Sequence, residues 1–194
     1  MLGLKFATPI EWIDIAQQNI KEILIDHAYC EQKAASHAIS LIVNFPEYPE
    51  LAEIMVKLAQ EELQHFEMVL QKLKERNFDF GCERKDPYVN DLYNFIRKGG
   101  RREAVLVDRL LFAAMIEARS CERFKLLSEH ISDDDLREFY RTLMISEARH
   151  YTTFIQLAKK LCGHFEDVDK RWQEWLDYEN NIIQKYGKKE LIHG

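Results

Sequence analysis

Two stretches of the chain carry the same short signature, Glu62-x-x-His65 and Glu147-x-x-His150. Residues three apart on a helix share a face, so a carboxylate and an imidazole at this spacing can hold one metal ion together. Glu31 precedes Glu62 by 31 residues, and Glu117 precedes Glu147 by 30. Each of these acids interrupts an apolar stripe written in steps of three and four. The stripes run Leu24, His27, Glu31, Ala34, Ala38; then Met55, Leu58, Glu62, His65, Val69; then Leu110, Ala114, Glu117, Cys121, Phe124; and finally Leu143, Glu147, His150, Phe154, Leu157. A carboxylate on the core face of a helix is costly unless a positive group compensates it. Two divalent ions compensate four carboxylates directly. One Glu from each of two helices, plus Glu-x-x-His from each of two others, is the ligand pattern of di-iron and di-manganese helical bundles. The expected ligands are Glu31, Glu62, His65, Glu117, Glu147 and His150, with two iron ions as the expected cofactor and manganese as the alternative.

The signature alone is weak. With 21 Glu and 7 His in 194 residues, about one Glu-x-x-His arises by chance. A third copy, Glu190-x-x-His193, lies past Gly187 and reads as a frayed tail. The pairing of the other two copies with a Glu on the preceding helix is what carries the assignment. His27, one turn before Glu31, reads as an outer partner of the site rather than a seventh ligand. Glu61, Glu67 and Glu122 fall off the stripes and read as solvated. Cys30, Cys82, Cys121 and Cys162 form no C-x-x-C pair, so a rubredoxin-type or zinc site has no support, and they read mostly as core thiols. A pair of reduced irons supplies O2 activation for attack on a C–H bond, so the catalytic group is the di-metal centre itself. The chain shows no electron-transfer site of its own, and electrons must come from an external donor, a reductase or a small reductant.

The elements that must position these residues are helices. Seven Gly and four Pro in 194 residues are about half the usual share of ~12%, too few for a turn-rich all-β fold. A hydrophobic share of 46% supports a sizeable core and excludes disorder. Thr8-Pro9-Ile10-Glu11 has the form of a capping box, opening a helix interrupted near Asn19 and running to about Val43. Further helices are expected over about 50–76, over a short stretch from Asp86-Pro87 to Gly99-Gly100, over 101–130, from a Ser132 cap to Gly163, and over 166–186. Short connections favour antiparallel neighbours. The expectation is one all-α domain over 1–194: a ferritin-like bundle of four long helices with an additional short helix and a C-terminal one. The first residues lack a signal-peptide pattern and no run approaches the ~20 apolar residues of a membrane span, so a cytoplasmic protein without a membrane is expected, a monomer or small homo-oligomer.

Longer strings narrow the choice. Asp108-Arg109-Leu110-Leu111, Ile116-Glu117-Ala118-Arg119-Ser120-Cys121-Glu122-Arg123-Phe124 and Ser146-Glu147-Ala148-Arg149-His150-Tyr151 resemble the MiaE family over nearly the whole chain. That resemblance implies a non-haem di-iron tRNA hydroxylase, using O2 to hydroxylate the isopentenyl side chain of 2-methylthio-N6-isopentenyladenosine next to the anticodon. The alternative is a di-metal oxidase, peroxidase or catalase acting without RNA. A net charge of −6 argues against coating a phosphate backbone, but setting the four ligand carboxylates aside leaves −2. The segment 74–102 is locally +3, and Arg84, Lys85, Arg97, Lys98, Arg101 and Arg102 are its candidate contacts to the tRNA anticodon loop. Gly99-Gly100 would let the backbone approach a phosphate closely.

Overall fold

The structure, a computed structural model, describes residues 2–83, 85–186 and 189–193. Among the described residues there are seven helices and no strand. They are α1 (Trp12–Gln18), α2 (Ile20–Asn44), α3 (Pro49–Glu75), α4 (Pro87–Tyr93), α5 (Arg102–His130), α6 (Asp134–Cys162) and α7 (Val168–Ile183). The contacts group into two compact units: Gln18–Lys85 with Glu190–Ile192, and Met1–Gln17 with Asp86–Lys189 and His193–Gly194.

The first unit is the α2–α3 hairpin. Asn19 separates α1 from α2, as the sequence anticipates. Pro49 stands at the first turn of α3, where its missing N–H leaves no bond unmade. At the other end Asn77 adopts a left-handed φ of 54°. Its N–H reaches the Lys74 carbonyl at 3.1 Å, and Phe78 N–H reaches that of Leu73 at 3.0 Å. This closure ends the helix cleanly and turns the chain back. The following loop lies against its own hairpin: Phe80 stacks on Tyr29 with ring centres 4.8 Å apart, and Tyr29 Oη donates to Gly81 O at 3.0 Å.

The second unit centres on the α5–α6 hairpin, with α4 and α7 beside it. Asp86, Asp133 and Asp167 each accept backbone N–H groups at the starts of α4, α6 and α7. The cap of α6 is therefore Asp133 rather than Ser132, and α4 ends at Tyr93, well before Gly99-Gly100. The expected capping box at Thr8 does not form. Thr8 instead donates from its N–H and its hydroxyl to Glu122 of α5, at 2.6 and 2.7 Å. Glu122 is correspondingly buried, not solvated. The C-terminal residues are not frayed either. Leu191, Ile192 and His193 are buried, Lys189 O accepts from Trp12 Nε1 at 2.9 Å, and His193 Nε2 lies 2.9 Å from Ser120 Oγ. Ile192 N–H donates to Asp26 Oδ2 at 2.7 Å. Helical periodicity cannot anticipate such contacts, which join residues 73 to 177 positions apart. Of the cysteines, Cys121 and Cys162 are buried, Cys30 is partly so and Cys82 is exposed.

Asp108 ties the second unit together. Its fully buried carboxylate accepts from Arg97 N and Nε at 2.9 and 2.8 Å, and from Arg171 Nε and Nη2 at 2.8 and 2.9 Å. Burial alone would raise this carboxyl, but the Arg171 and Arg97 guanidiniums outweigh that and hold it below the ordinary carboxylate range. A depressed folded value means that its contribution is present above the unfolded value of ~3.9 and is lost as pH falls through the folded one. Removing one partner of such a buried set costs about 3–5 kcal/mol. Asp108→Ala is expected to lose that much in urea unfolding at neutral pH, with an unchanged dependence on denaturant. A loss no larger than the ~1 kcal/mol of an exposed ion pair would show that Asp108 is not the tie.

Candidate metal centre

All six residues singled out by spacing are buried. Relative exposures are 4% for Glu31, 0% for Glu62, 6% for His65, and 3% each for Glu117, Glu147 and His150. In the α2–α3 hairpin, Glu31 comes from the middle of α2, and Glu62 and His65 from the middle of α3. One ligand atom from each lies within 4.8 Å of the others. His65 Nδ1 is 3.6 Å from Glu31 Oε2 and 3.4 Å from Glu62 Oε2, so the imidazole faces both carboxylates. Its other nitrogen is 3.9 Å from Glu61 Oε1, a carboxylate that the stripe pattern leaves out. His27 is fully buried, with Nε2 at 2.6 Å from Glu31 Oε1. Burial pushes the Glu31 carboxyl up to about 8; the hydrogen bond with His65 opposes the rise and the charge on Glu62 adds to it.

In the α5–α6 hairpin, Glu117 lies mid-helix in α5, and Glu147 and His150 mid-helix in α6. His150 Nδ1 is 4.0 Å from Glu117 Oε2. Cys121, one turn after Glu117, donates its thiol to Met144 O at 3.3 Å. Burial and then the charge on Glu147 push that thiol up to about 12, so it stands as a neutral group beside the acids. The opposite side of α5 is polar and buried as well. Arg119 bonds Glu122 at 2.8 Å, Glu179 of α7 at 2.5 Å and Phe6 O at 3.2 Å, while Tyr88 Oη donates to Glu179 at 3.1 Å. Arg123, with no exposure, stacks over Trp12 at 4.1 Å. These contacts fix the rotation of α5 about its axis, and hence the direction in which Glu117 projects. The donor chemistry fits a metal: carboxylates and imidazoles only, withdrawn from water, with three such residues on each hairpin.

Comparison with known proteins narrows the assignment. Residues 2–194 match the family described as tRNA-(MS[2]IO[6]A)-hydroxylase (MiaE). A protein of Pseudomonas putida named tRNA 2-(methylsulfanyl)-N(6)-isopentenyladenosine(37) hydroxylase is 42% identical over 186 residues, covering 96% of this chain and 89% of that protein. One of the same name from Salmonella typhimurium is 30% identical, covering 96% of this chain and 85% of its own length. The chain belongs to the MiaE family. A solved structure, described as Protein 43 with aldehyde deformylating oxygenase activity from Synechococcus, superposes with a TM-score of 0.88 at 34% identity, over 98% of this chain and 95% of that one. The MiaE chain thus has the all-α, ferritin-like fold.

The basic residues of this MiaE-family chain divide by environment. Arg97 turns its guanidinium inward, onto Asp108, Ala104 O and both carboxylate oxygens of Glu166. Its job is structural, which charge counting could not reveal. Lys98, Arg101 and Arg102 are exposed, as is Lys85 in the other unit. Arg84 lies outside the described residues.

A raised Glu31 has a pH signature. Protonated in the folded metal-free protein and ionised when unfolded, it leaves stability whole below ~4.5 and erodes it as pH rises toward the folded value. That folded value is about 8. Melts of metal-free protein should fall in temperature between these limits, Glu31→Gln should flatten the fall, and divalent metal should abolish it. A melting temperature that is level over this range in the metal-free protein would contradict the assignment.

Proposed function

We propose that this chain is an O2-dependent tRNA hydroxylase acting on the isopentenyl side chain of 2-methylthio-N6-isopentenyladenosine beside the anticodon. The observation that carries the proposal is the burial of all six acid and imidazole residues in a chain whose curated relatives bear that activity in their names over most of their length. Glu31, Glu62, His65, Glu117, Glu147 and His150 would together hold two iron ions. When bound, iron supplies the O2 activation that attack on an unactivated C–H bond requires. The chain's own part is to hold each carboxylate in place and to keep water from it. His27 orients Glu31 through its short contact. The neutral Cys121 thiol adds no charge beside Glu147. Electrons come from an external reductase or small reductant.

The substrate is RNA whose target base is already unpaired in a loop, so presenting its side chain costs less than flipping a base out of a duplex. Lys98, Arg101 and Arg102, with Lys85, are the contacts proposed for the anticodon loop; Arg97 supports them from within. No helix among the described residues is long and apolar enough to cross a membrane, in keeping with a cytoplasmic enzyme that meets tRNA directly.

Digested tRNA nucleosides from cells with and without the gene, separated by mass spectrometry, test the proposal. The expected result is loss of the hydroxylated nucleoside and accumulation of its unhydroxylated precursor on deletion. Complementation with Glu62→Ala should fail to restore it, and the purified variant should bind about one iron fewer per chain. An unchanged nucleoside profile in a cell that makes the precursor would defeat the proposal, and peroxide turnover indifferent to tRNA would point to a di-metal oxidase or catalase instead.

A further inference from the structure

The second unit carries an exposed aromatic that its own packing does not explain. In the turn between α6 and α7, Phe165 is 45% exposed. The His164 ring lies against it, centroids 3.8 Å apart. The turn is tight: a Cβ at Gly163 would lie 2.4 Å from the Lys159 carbonyl oxygen. Across from it runs the segment leading into α5. The two are joined by Arg97, which bonds Glu166 at 2.7 and 2.9 Å. Arg101 sets its guanidinium 5.8 Å from the centre of the Phe165 ring. A shallow cleft of about 210 Å³ opens between the two segments, lined among others by Arg101, Ala104, Cys162, Phe165 and Glu166.

The cleft lining sets Arg97 and Arg101 against Glu103 and Glu166, so the surplus of positive charge comes from Lys98 in the same segment. Glu166 is neutralised by Arg97. Lys98 and Arg101 are exposed and have no acidic partner among the described residues. A Cβ placed at Gly99 or Gly100 would meet nothing within 4 Å. The positive φ of Gly100, 93°, accounts for that glycine, but nothing inside the chain requires one at Gly99. An aromatic ring open to solvent, a cation over it, a second exposed cation in the same segment and a bare stretch of backbone are together the means by which proteins hold unpaired nucleotides.

We propose that Phe165, backed by His164, is a stacking platform for one unpaired nucleotide of the RNA substrate, with Arg101 and Lys98 holding the adjoining phosphate. This rests on the tRNA substrate proposed above and adds to it a site that charge alone did not locate. The nucleotide is not the one modified. From His150 to the end of α6 at Cys162 the helix rises about 18 Å, beyond the reach of an isopentenyl side chain. The platform therefore acts in binding and register, and Phe165 is a positioning residue rather than a catalytic one.

The test uses the iron-loaded full chain and a synthetic anticodon stem-loop carrying the precursor nucleoside, with binding followed by fluorescence anisotropy over a range of salt. Phe165→Ala should weaken binding about tenfold without changing the slope against log salt, and Phe165→Trp should restore it. Arg101→Ala should weaken binding and make the slope shallower by about 0.7. Hydroxylation of the free nucleoside, which never reaches the platform, should be the same in Phe165→Ala as in the parent. Binding by Phe165→Ala equal to the parent, while Arg101→Ala still weakens it, overturns the platform and leaves the tRNA substrate standing. A parent chain that does not bind the stem-loop removes both. If Phe165→Ala binds RNA normally but turns over slowly only when electrons are delivered by a protein reductase, the surface belongs to that partner and the platform is wrong.

Discussion

The cost of burying carboxylates governs this structure. Glu31, Glu62, Glu117 and Glu147 are each at most 4% exposed, and each sits at the middle of a long helix where no loop can relax toward water. An uncompensated carboxylate in such a place gives up its charge, as the raised Glu31 shows. In the metal-free protein Glu31 therefore holds a proton where the loaded protein would hold a cation. That exchange ties fold and chemistry together: Glu31, whose raised carboxyl makes the metal-free protein pH-sensitive, is one of the residues proposed to bind iron, and the burial that raises it also keeps water away.

A helix that presents an acid to the core must also be stopped from rotating to hide it. For α5 the restraint is a second buried polar layer on its other side. Arg119 is held between Glu122 and Glu179, Glu122 is bonded in turn by Thr8, and Ser120 meets His193. Arg123 shows how crowded this layer is: burial and the charge of Arg119 bring its guanidinium down to about 9, and the face of Trp12 supports it. Such a layer is costly to satisfy and gains little net stability over an apolar one. Its worth lies in specificity of placement, since a rotation of α5 would break these pairings.

Much of this was legible in the chain. The stripes placed all six candidate ligands on buried helix faces, because spacing of three and four is a local property that a helix must obey. The helix ends were found to within a few residues wherever a side-chain cap or a proline marked them, as at Asp86-Pro87. What the sequence did not show was long-range. Glu122 looks solvated until Thr8 and Arg119 arrive, and Arg97 looks like a free cation until Asp108 and Glu166 enclose it. Glu190-x-x-His193 looks like a tail because nothing local says that Ser120 lies beside it. Charge counting fails for the same reason: it cannot tell a cation facing solvent from one neutralised in the interior.

The proteins this chain resembles carry two differently named activities on one fold, so the fold and its buried acids cannot by themselves choose the substrate. Selection has to act where the chain is free to vary without disturbing the acids. The middles of α2, α3, α5 and α6 are not such places, since their buried faces are committed to the ligands and to the layers that orient them. The turns are. Gly99-Gly100 and the stretch from Gly163 to Asp167 sit at helix ends, carry exposed cations and an exposed aromatic ring, and are braced by Arg97 from beneath. With recognition proposed at such turns, the buried helix faces are left undisturbed, and the bonds of Arg97 to Asp108 and Glu166 hold the turns in place.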